Sequence, residues 1–383
     1  MRLKSFKHSE QGASHIKRKK DCQDSSRSWH SEDGDMAVAV VCDGHGGDDY
    51  IRSREGAMFA VDVAMKEIKD FLNTVSHNPK IKAQFMSKPE MWLKDLEKSV
   101  ISEWYDKIGK DREAKPFDEQ DLKGISEKAR KRYTEEKNIE EGKFASAYGT
   151  TMIAVAVTRD FWFGIQIGDG KCVTVDADGN FFQPIPPNPK CFLNATTSIC
   201  DSDAIENFEE YFDDKIPAAV FIGSDGVDDC FKNEEQLYNL YAAVLYSFGT
   251  SPYEEALDGL VAYMPTLSEK GSGDDLSIAA VYDEELLPEL DIVKNYDREK
   301  EKAKVEENVR REKEKEERDK KTYEEQQEVL RCERCWNCEQ EVNKSKQLLS
   351  GCENQPINNK SGRFYCNNPI KKICWQGSKY NKK

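Results

Sequence analysis

Short apolar runs that give way to an aspartate are the feature that most narrows how this chain can fold. Met36-Ala37-Val38-Ala39-Val40-Val41-Cys42 is stopped by Asp43-Gly44, and the run 218–222 is stopped by Gly223-Ser224-Asp225-Gly226. The run 161–167 ends in Gly168-Asp169-Gly170, Asp274-Asp275 stands before Leu276-Ser277-Ile278-Ala279-Ala280-Val281-Tyr282, and Gln23-Asp24 precedes the first strong run. Runs this short and this rich in β-branched residues read as buried strands. Asp before Gly is ordinary turn chemistry at any one of these places. Repeated at the ends of neighbouring strands, it gathers carboxylates along one edge of a sheet. Several anions held together need a cation, and hard oxygen ligands suit Mg2+ or Mn2+. The chain has only five histidines, which weighs against a His-rich zinc catalytic site.

The intervening residues complete an α+β pattern. Ala57, Ala60, Val63, Ala64, Ile68 and Phe71 recur at helical spacing. Residues 76–142 are polar, with Met91, Trp92, Leu93, Leu96 and Val100 on a helical period, so helical hairpins over a sheet are expected, with a solvated insertion near 110–140. Strands are expected at 151–157, 161–167, 171–175, 218–222 and 276–282, and helices at 234–248 and 253–264. Strands follow one another and helices cluster between them, which is α+β organisation rather than strict βαβ alternation.

Charge divides the chain into three parts. Acidic residues outnumber basic ones 72 to 57, for a net charge of -15. Such a balance speaks against nucleic acid or an anionic membrane as a partner of the whole surface. No apolar run approaches the ~20 residues that span a bilayer, and no apolar segment follows the basic start Met1–Lys7. A soluble, cytoplasmic protein is expected. Between Asp297 and Lys321, 21 of 25 residues are charged, and Glu306/Arg310, Glu307/Arg311, Glu314/Arg318 and Glu317/Lys321 are spaced to pair along a helix. Ala303, Val305 and Val309 are too few for a heptad seam, so a solvated helical spacer is preferred to a coiled coil. The last 52 residues hold six of the twelve cysteines: Cys332, Cys335, Cys338, Cys352, Cys366 and Cys374. Cys-x-x-Cys is metal-ligand spacing, and the tail has no histidine, so an all-cysteine structural Zn2+ site is expected, with disulfides as the competing reading. The expected units are 1–290, a charged helical linker 291–331, and a Cys-rich docking module 332–383.

Six motifs occur in an order that resembles the PP2C-type (PPM) metal-dependent protein serine/threonine phosphatases. They are Cys22-Gln23-Asp24, Val41-Cys42-Asp43-Gly44-His45-Gly46-Gly47, Tyr148-Gly149-Thr150-Thr151, Ile167-Gly168-Asp169, Gly223-Ser224-Asp225-Gly226 and Asp274-Asp275-Leu276-Ser277. The Cys-Gln-Asp form of the first is similar to the bacterial branch, and the resemblance spans roughly residues 10–283. It implies a four-layer αββα sandwich with two or three Mn2+ or Mg2+ ions at one end of the sheets. Asp43 would bridge two metals and the Gly44 carbonyl would complete one shell. Asp225 and Asp274 would ligate the other metal, Asp24 would hold metal-bound water, and Asp169 belongs with a weaker third site. Asp274 is preferred to Asp275 because Leu276-Ser277-Ile278 then aligns with the family's last strand, with Asp275 kept as the other candidate. His45 would protonate the leaving seryl or threonyl oxygen.

Three positions depart from the family pattern. Lys19, flanked by Arg18, stands where an Arg usually binds substrate phosphate, and a lysine offers a point charge rather than a fork. Gln23 stands where many relatives have Glu, and Gly170 where the third-metal motif has Ser. None removes a metal carboxylate. The implied activity is hydrolysis of phosphoserine and phosphothreonine in proteins by a metal-activated water. The competing reading is a catalytically weak, phosphatase-like protein that binds phosphorylated or nucleic-acid partners through its tail.

Overall fold

From Ala37 to Cys42 every side chain is buried, because successive residues of a strand face opposite ways and this strand is covered on both sides. Ala37, Ala39 and Val41 face a second sheet, while Val38, Val40 and Cys42 face helices. The same two-sided demand explains the buried runs of the other central strands. The computed structural model describes residues 1–192 and 195–297, scattered positions from 299 to 324, and two short strands beyond them. It divides into two units, Met1–Arg298 and Glu299–Lys383.

The first unit begins β1 (Leu3–Glu10), α1 (Ala13–Arg18), β2 (Ser25–His30), β3 (Met36–Cys42), α2 (Ser53–His77), α3 (Pro79–Ser87) and α4 (Pro89–Ala114). It continues with α5 (Glu127–Thr134), α6 (Glu136–Glu140), β4 (Met152–Thr158), β5 (Trp162–Ile167), β6 (Lys171–Val175) and β7 (Phe181–Phe182). Then come α7 (Ala204–Asn207), β8 (Glu209–Asp213), β9 (Ala219–Gly223), α8 (Asp225–Asp228), α9 (Glu234–Thr250), α10 (Tyr253–Lys270), β10 (Leu276–Asp283) and α11 (Asp291–Lys294). Two antiparallel five-stranded sheets result, ordered β1-β10-β9-β6-β7 and β2-β3-β4-β5-β8. Three apolar layers hold them. One lies between the sheets, around Val41, Val155, Ile222 and Val281. A second lies under α2 and α4, around Ile68 and Trp104. The third lies under α9 and α10, around Phe221, Tyr241 and Met264.

Four strands of the two sheets have no counterpart in the sequence expectations, and all four stand at sheet edges. β1, β2 and β8 carry mostly half-exposed polar residues, so no apolar run marks them, and β7 is only two residues long. The α10 helix continues past the expected end at Met264 and takes Pro265 inside it, the last turn being held by buried Leu267 and Ser268. The segment expected as a solvated insertion near 110–140 is exposed over most of its length, and it is also pinned down. The Arg52 guanidinium reaches the Asp121 carboxylate (2.9 Å), the Lys115 carbonyl (2.7 Å) and the Tyr148 hydroxyl (2.9 Å), and lies 4.5 Å over the Phe117 ring. Leu122, Ala129 and Tyr133 are buried beneath it.

In the second unit the described positions between 299 and 324 are helical, and Glu307 pairs with Arg311 at 2.9 Å. Pro356–Asn358 and Phe364–Cys366 pair as antiparallel strands. Cys332, Cys335, Cys338, Cys352 and Cys374 lie outside the described residues, and of Cys366 only its strand is described. No helix among the described residues is long and apolar enough to cross a membrane.

Candidate metal centre

Strand register decides which aspartates meet. Ser25 pairs with Cys42, Val41 with Ile153, and Met152 with Ile167, so Asp24, Asp43 and Asp169 leave one sheet at the same end. In the other sheet Gly223 pairs with both Ile278 and Lys171, which brings Asp225 and the Asp274-Asp275 turn to the matching end. Residues far apart in sequence are thereby delivered to one edge by backbone ladders alone.

Asp43 is the centre of the group. Its backbone is clamped: its N–H donates to Thr151 Oγ1 (3.2 Å), and its carbonyl accepts from the Thr151 N–H (2.8 Å) and from Thr150 Oγ1 (2.8 Å). Its carboxyl is in hydrogen-bonding contact with Asp24 and with Asp225. Two carboxyls bond in this way only when one carries a proton to donate. Burial, followed by the charges of Asp24 and Asp225, accordingly pushes Asp43 well above the usual carboxylate range. Asp24 is buried, accepts from Ser224 Oγ at 2.8 Å, and is pushed up to about 7 by burial and then by Asp275. Asp225 opens α8 and is also raised, by burial and by the charges of Asp169, Asp274 and Asp229, against the opposing effect of its bond to Asp43. Burial raises Asp169 as well, tempered by a bond with Thr196.

The two adjacent candidates at the end of the run differ sharply. Asp275 is buried and fully engaged: Oδ1 accepts the Gly12 N–H at 2.6 Å, and Oδ2 accepts the Gln23 N–H at 2.7 Å. The Asp274 side chain is 58% exposed, and its Oδ1 accepts the Asp275 N–H at 2.9 Å. Glycine is required on both sides of this turn. A Cβ on Gly12 would stand 2.4 Å from the Asp274 carbonyl carbon, and one on Gly226 2.0 Å from the Asp275 oxygen.

Gly44 pairs as an isolated bridge with Thr150. The His45 N–H donates to the Gly149 carbonyl at 3.1 Å, and its ring packs edge-on against Tyr50, 4.7 Å between centroids. Burial lowers His45 to about 4. Arg18 and Lys19 are exposed at the end of α1, with Lys19 in the left-handed conformation (φ 56°). Their neighbour Lys20 instead reaches the Gly46 carbonyl at 3.2 Å, beside His45.

Several residues of the site had no assigned role on sequence grounds. Ser224 Oγ donates to Asp24 and accepts the Ser277 N–H at 3.0 Å, tying the two sheets together beneath the carboxylates. Gln23 Nε2 donates to the His45 carbonyl (3.1 Å) and to Ser53 Oγ (2.5 Å). Thr150 and Thr151 clamp Asp43. All except Ser53 belong to the six motifs, which was the available signal. Asp229 is outside them, and only folding brings its charge to bear on Asp169 and Asp225.

The donor set suits a hard divalent cation. Asp24 is buried, and Asp43 and Asp225 are half-buried. Their carboxyls are raised chiefly by burial and by one another, a crowding that a cation would relieve, and every donor is oxygen. Among the described residues no three His, Cys, Asp or Glu side chains stand together closely enough to hold a metal ion as they are placed.

A family profile described as Protein phosphatase 2C matches residues 11–262. No curated protein matches the chain significantly. Among solved structures, the serine/threonine phosphatase Stp1 from Staphylococcus aureus is similar at 14% identity and a TM-score of 0.44, over 74% of this chain and 96% of that one. PppA of Pseudomonas aeruginosa is similar at 15% identity and a TM-score of 0.45, over 74% and 98% of the two chains. The catalytic domain of the serine/threonine protein phosphatase PstP, in complex with two manganese ions, is similar at 14% identity and a TM-score of 0.43, over 73% and 99%.

Proposed function

The chain belongs to the protein phosphatase 2C family, whose members are phosphoprotein phosphatases, and on that premise we propose that it hydrolyses phosphoserine and phosphothreonine in proteins at the carboxylate edge of its two sheets. One observation carries this reading: the carboxyls of Asp24, Asp43 and Asp225, from three separate motifs, meet at one edge, with Asp24 buried and the other two half-buried. Asp43, Asp225 and Asp274 would hold Mn2+ or Mg2+, with the Gly44 carbonyl beside them, Asp24 orienting water, and Asp169 at a further site. When bound, such ions activate water and neutralise charge on phosphoryl oxygens. Asp274 is the ligand rather than Asp275, because both Asp275 oxygens are already occupied by backbone N–H groups.

The remaining steps belong to side chains of this chain. Ser224 and the Thr150-Thr151 pair keep Asp24 and Asp43 from turning away. His45, neutral in the free protein, takes up a proton when a phosphoryl dianion lies beside it and passes that proton to the leaving oxygen. Phosphate is met by cations of the 18–20 stretch, with Lys20 placed nearest the His45 loop.

Turnover of a phosphothreonine peptide with and without Mn2+ tests the reading. Asp43→Asn is expected to lose at least about 100-fold in kcat/KM, or about 3 kcal/mol, with the protein still folded by circular dichroism. A wild-type chain that binds the peptide yet releases no phosphate with Mn2+ would be the phosphatase-like binding protein instead.

A further inference from the structure

His15 sits where two adjacent carboxylates of unequal freedom face each other. It is buried on α1, with Nδ1 2.9 Å from Asp275 Oδ2 and Nε2 3.5 Å from Asp274 Oδ1. The Nδ1 contact lacks the alignment of a hydrogen bond, so this nitrogen is buried without a bonded partner. Asp275 cannot move to improve that contact, because the Gly12 and Gln23 N–H groups hold both its oxygens. Nor can the ring's own backbone move freely. The Ala13 N–H donates to Ser268 Oγ (2.9 Å), the Ser14 N–H to the Gly273 carbonyl (2.8 Å), and the Lys20 N–H to the His15 carbonyl (3.0 Å). Ser268 Oγ in turn donates to the Asp274 carbonyl at 3.0 Å. The imidazole is therefore a fixed wedge with a locked carboxylate on one side and the exposed Asp274 carboxylate on the other.

We propose that His15 is a positioning residue for the metal centre, its Nε2 setting the orientation of the Asp274 carboxylate. The proposal rests on the reading of Asp274 as a metal ligand. Groups just outside a metal's ligands orient them, and losing one costs typically about 10- to 100-fold in affinity. The two ring nitrogens have separate jobs here, and two amides can imitate them separately. Asparagine places its nitrogen near the Nδ1 position and keeps the contact with Asp275. Glutamine reaches the Nε2 position and keeps the contact with Asp274.

Calorimetric titration of the full chain with Mn2+ alone, alongside thermal melts without metal, reads the difference. H15N is expected to weaken Mn2+ binding about tenfold, and H15Q to recover most of that loss whatever its effect on the melt. Adding H15N to D274N should cost little further affinity, since the effect passes through Asp274. If D274N weakens binding while H15N binds Mn2+ like the wild type, the positioning role is overturned and the ligand reading stands. Equal weakening by H15N and H15Q also overturns it, because the role would then be general to the fold. If D274N itself binds Mn2+ like the wild type, the ligand reading falls and takes the proposal with it.

Discussion

At the scale of single residues, His45 shows how far burial can shift a group from the role its motif implies. Lowered to about 4, the free imidazole is protonated in about one molecule per thousand at pH 7. A proton donor in that state depends on the substrate to charge it, so its contribution should vary with how badly the leaving group needs a proton. His45→Gln is expected to slow a phosphothreonine peptide by about 100-fold and an aryl phosphate far less, as steady-state kinetics on the two substrates would read. Equal slowing of both would place His45 in phosphate or metal binding.

At the scale of elements, α4 carries a group that works against the fold. Glu97 is fully buried, and Lys94 Nζ stands 3.0 Å from its Oε2 without the alignment of a hydrogen bond. Burial outweighs Lys94 and pushes Glu97 up to about 7. A carboxyl whose folded pKa lies above its unfolded value binds more protons in the folded state, so stability falls as pH rises from about 4.5 toward 7. Glu97→Gln removes that titration. The variant is expected to gain about 2 kcal/mol over the wild type at pH 8 and little at pH 4, measured by urea unfolding at both pH values. A gain that is the same at both would mean that Glu97 is not protonated on folding. The insertion between α4 and β4 is a second case of an element set by one residue, since Arg52 joins Asp111, Asp121, Phe117 and Tyr148.

At the scale of the whole molecule, all three apolar layers are made, among the described residues, by positions up to Val293. A chain ending at residue 298 should therefore stay folded and keep its kcat/KM on aryl phosphate within about threefold, a change under about 1 kcal/mol. Loss of that activity would mean that the second unit completes the site. For the tail, the Cys332-x-x-Cys335-x-x-Cys338 spacing leads to an expectation of about one Zn2+ per full chain by elemental analysis. A metal-free chain whose tail thiols become reactive only after reduction would establish disulfides.

The chain's own pattern determined the central strands, the long helices and the motifs that supply Asp24, Asp43, Asp169, Asp225 and Asp274. Runs buried on both faces must be apolar throughout, and such runs are legible without a structure. The edge strands β1, β2, β7 and β8 were not legible, because an edge needs a hydrogen-bonded neighbour more than it needs a long apolar run. Asp274 was preferred to Asp275 only through the alignment of Leu276-Ser277-Ile278 with the family's last strand, since adjacent carboxylates have equal chemistry. Only folding placed the Gly12 and Gln23 N–H groups on Asp275 and left Asp274 exposed. His15 carried no signal beyond being one of five histidines. Its place between two carboxylates arises from contacts some 260 residues apart in the chain, which a local pattern cannot encode because each partner satisfies its own stretch equally well without the other.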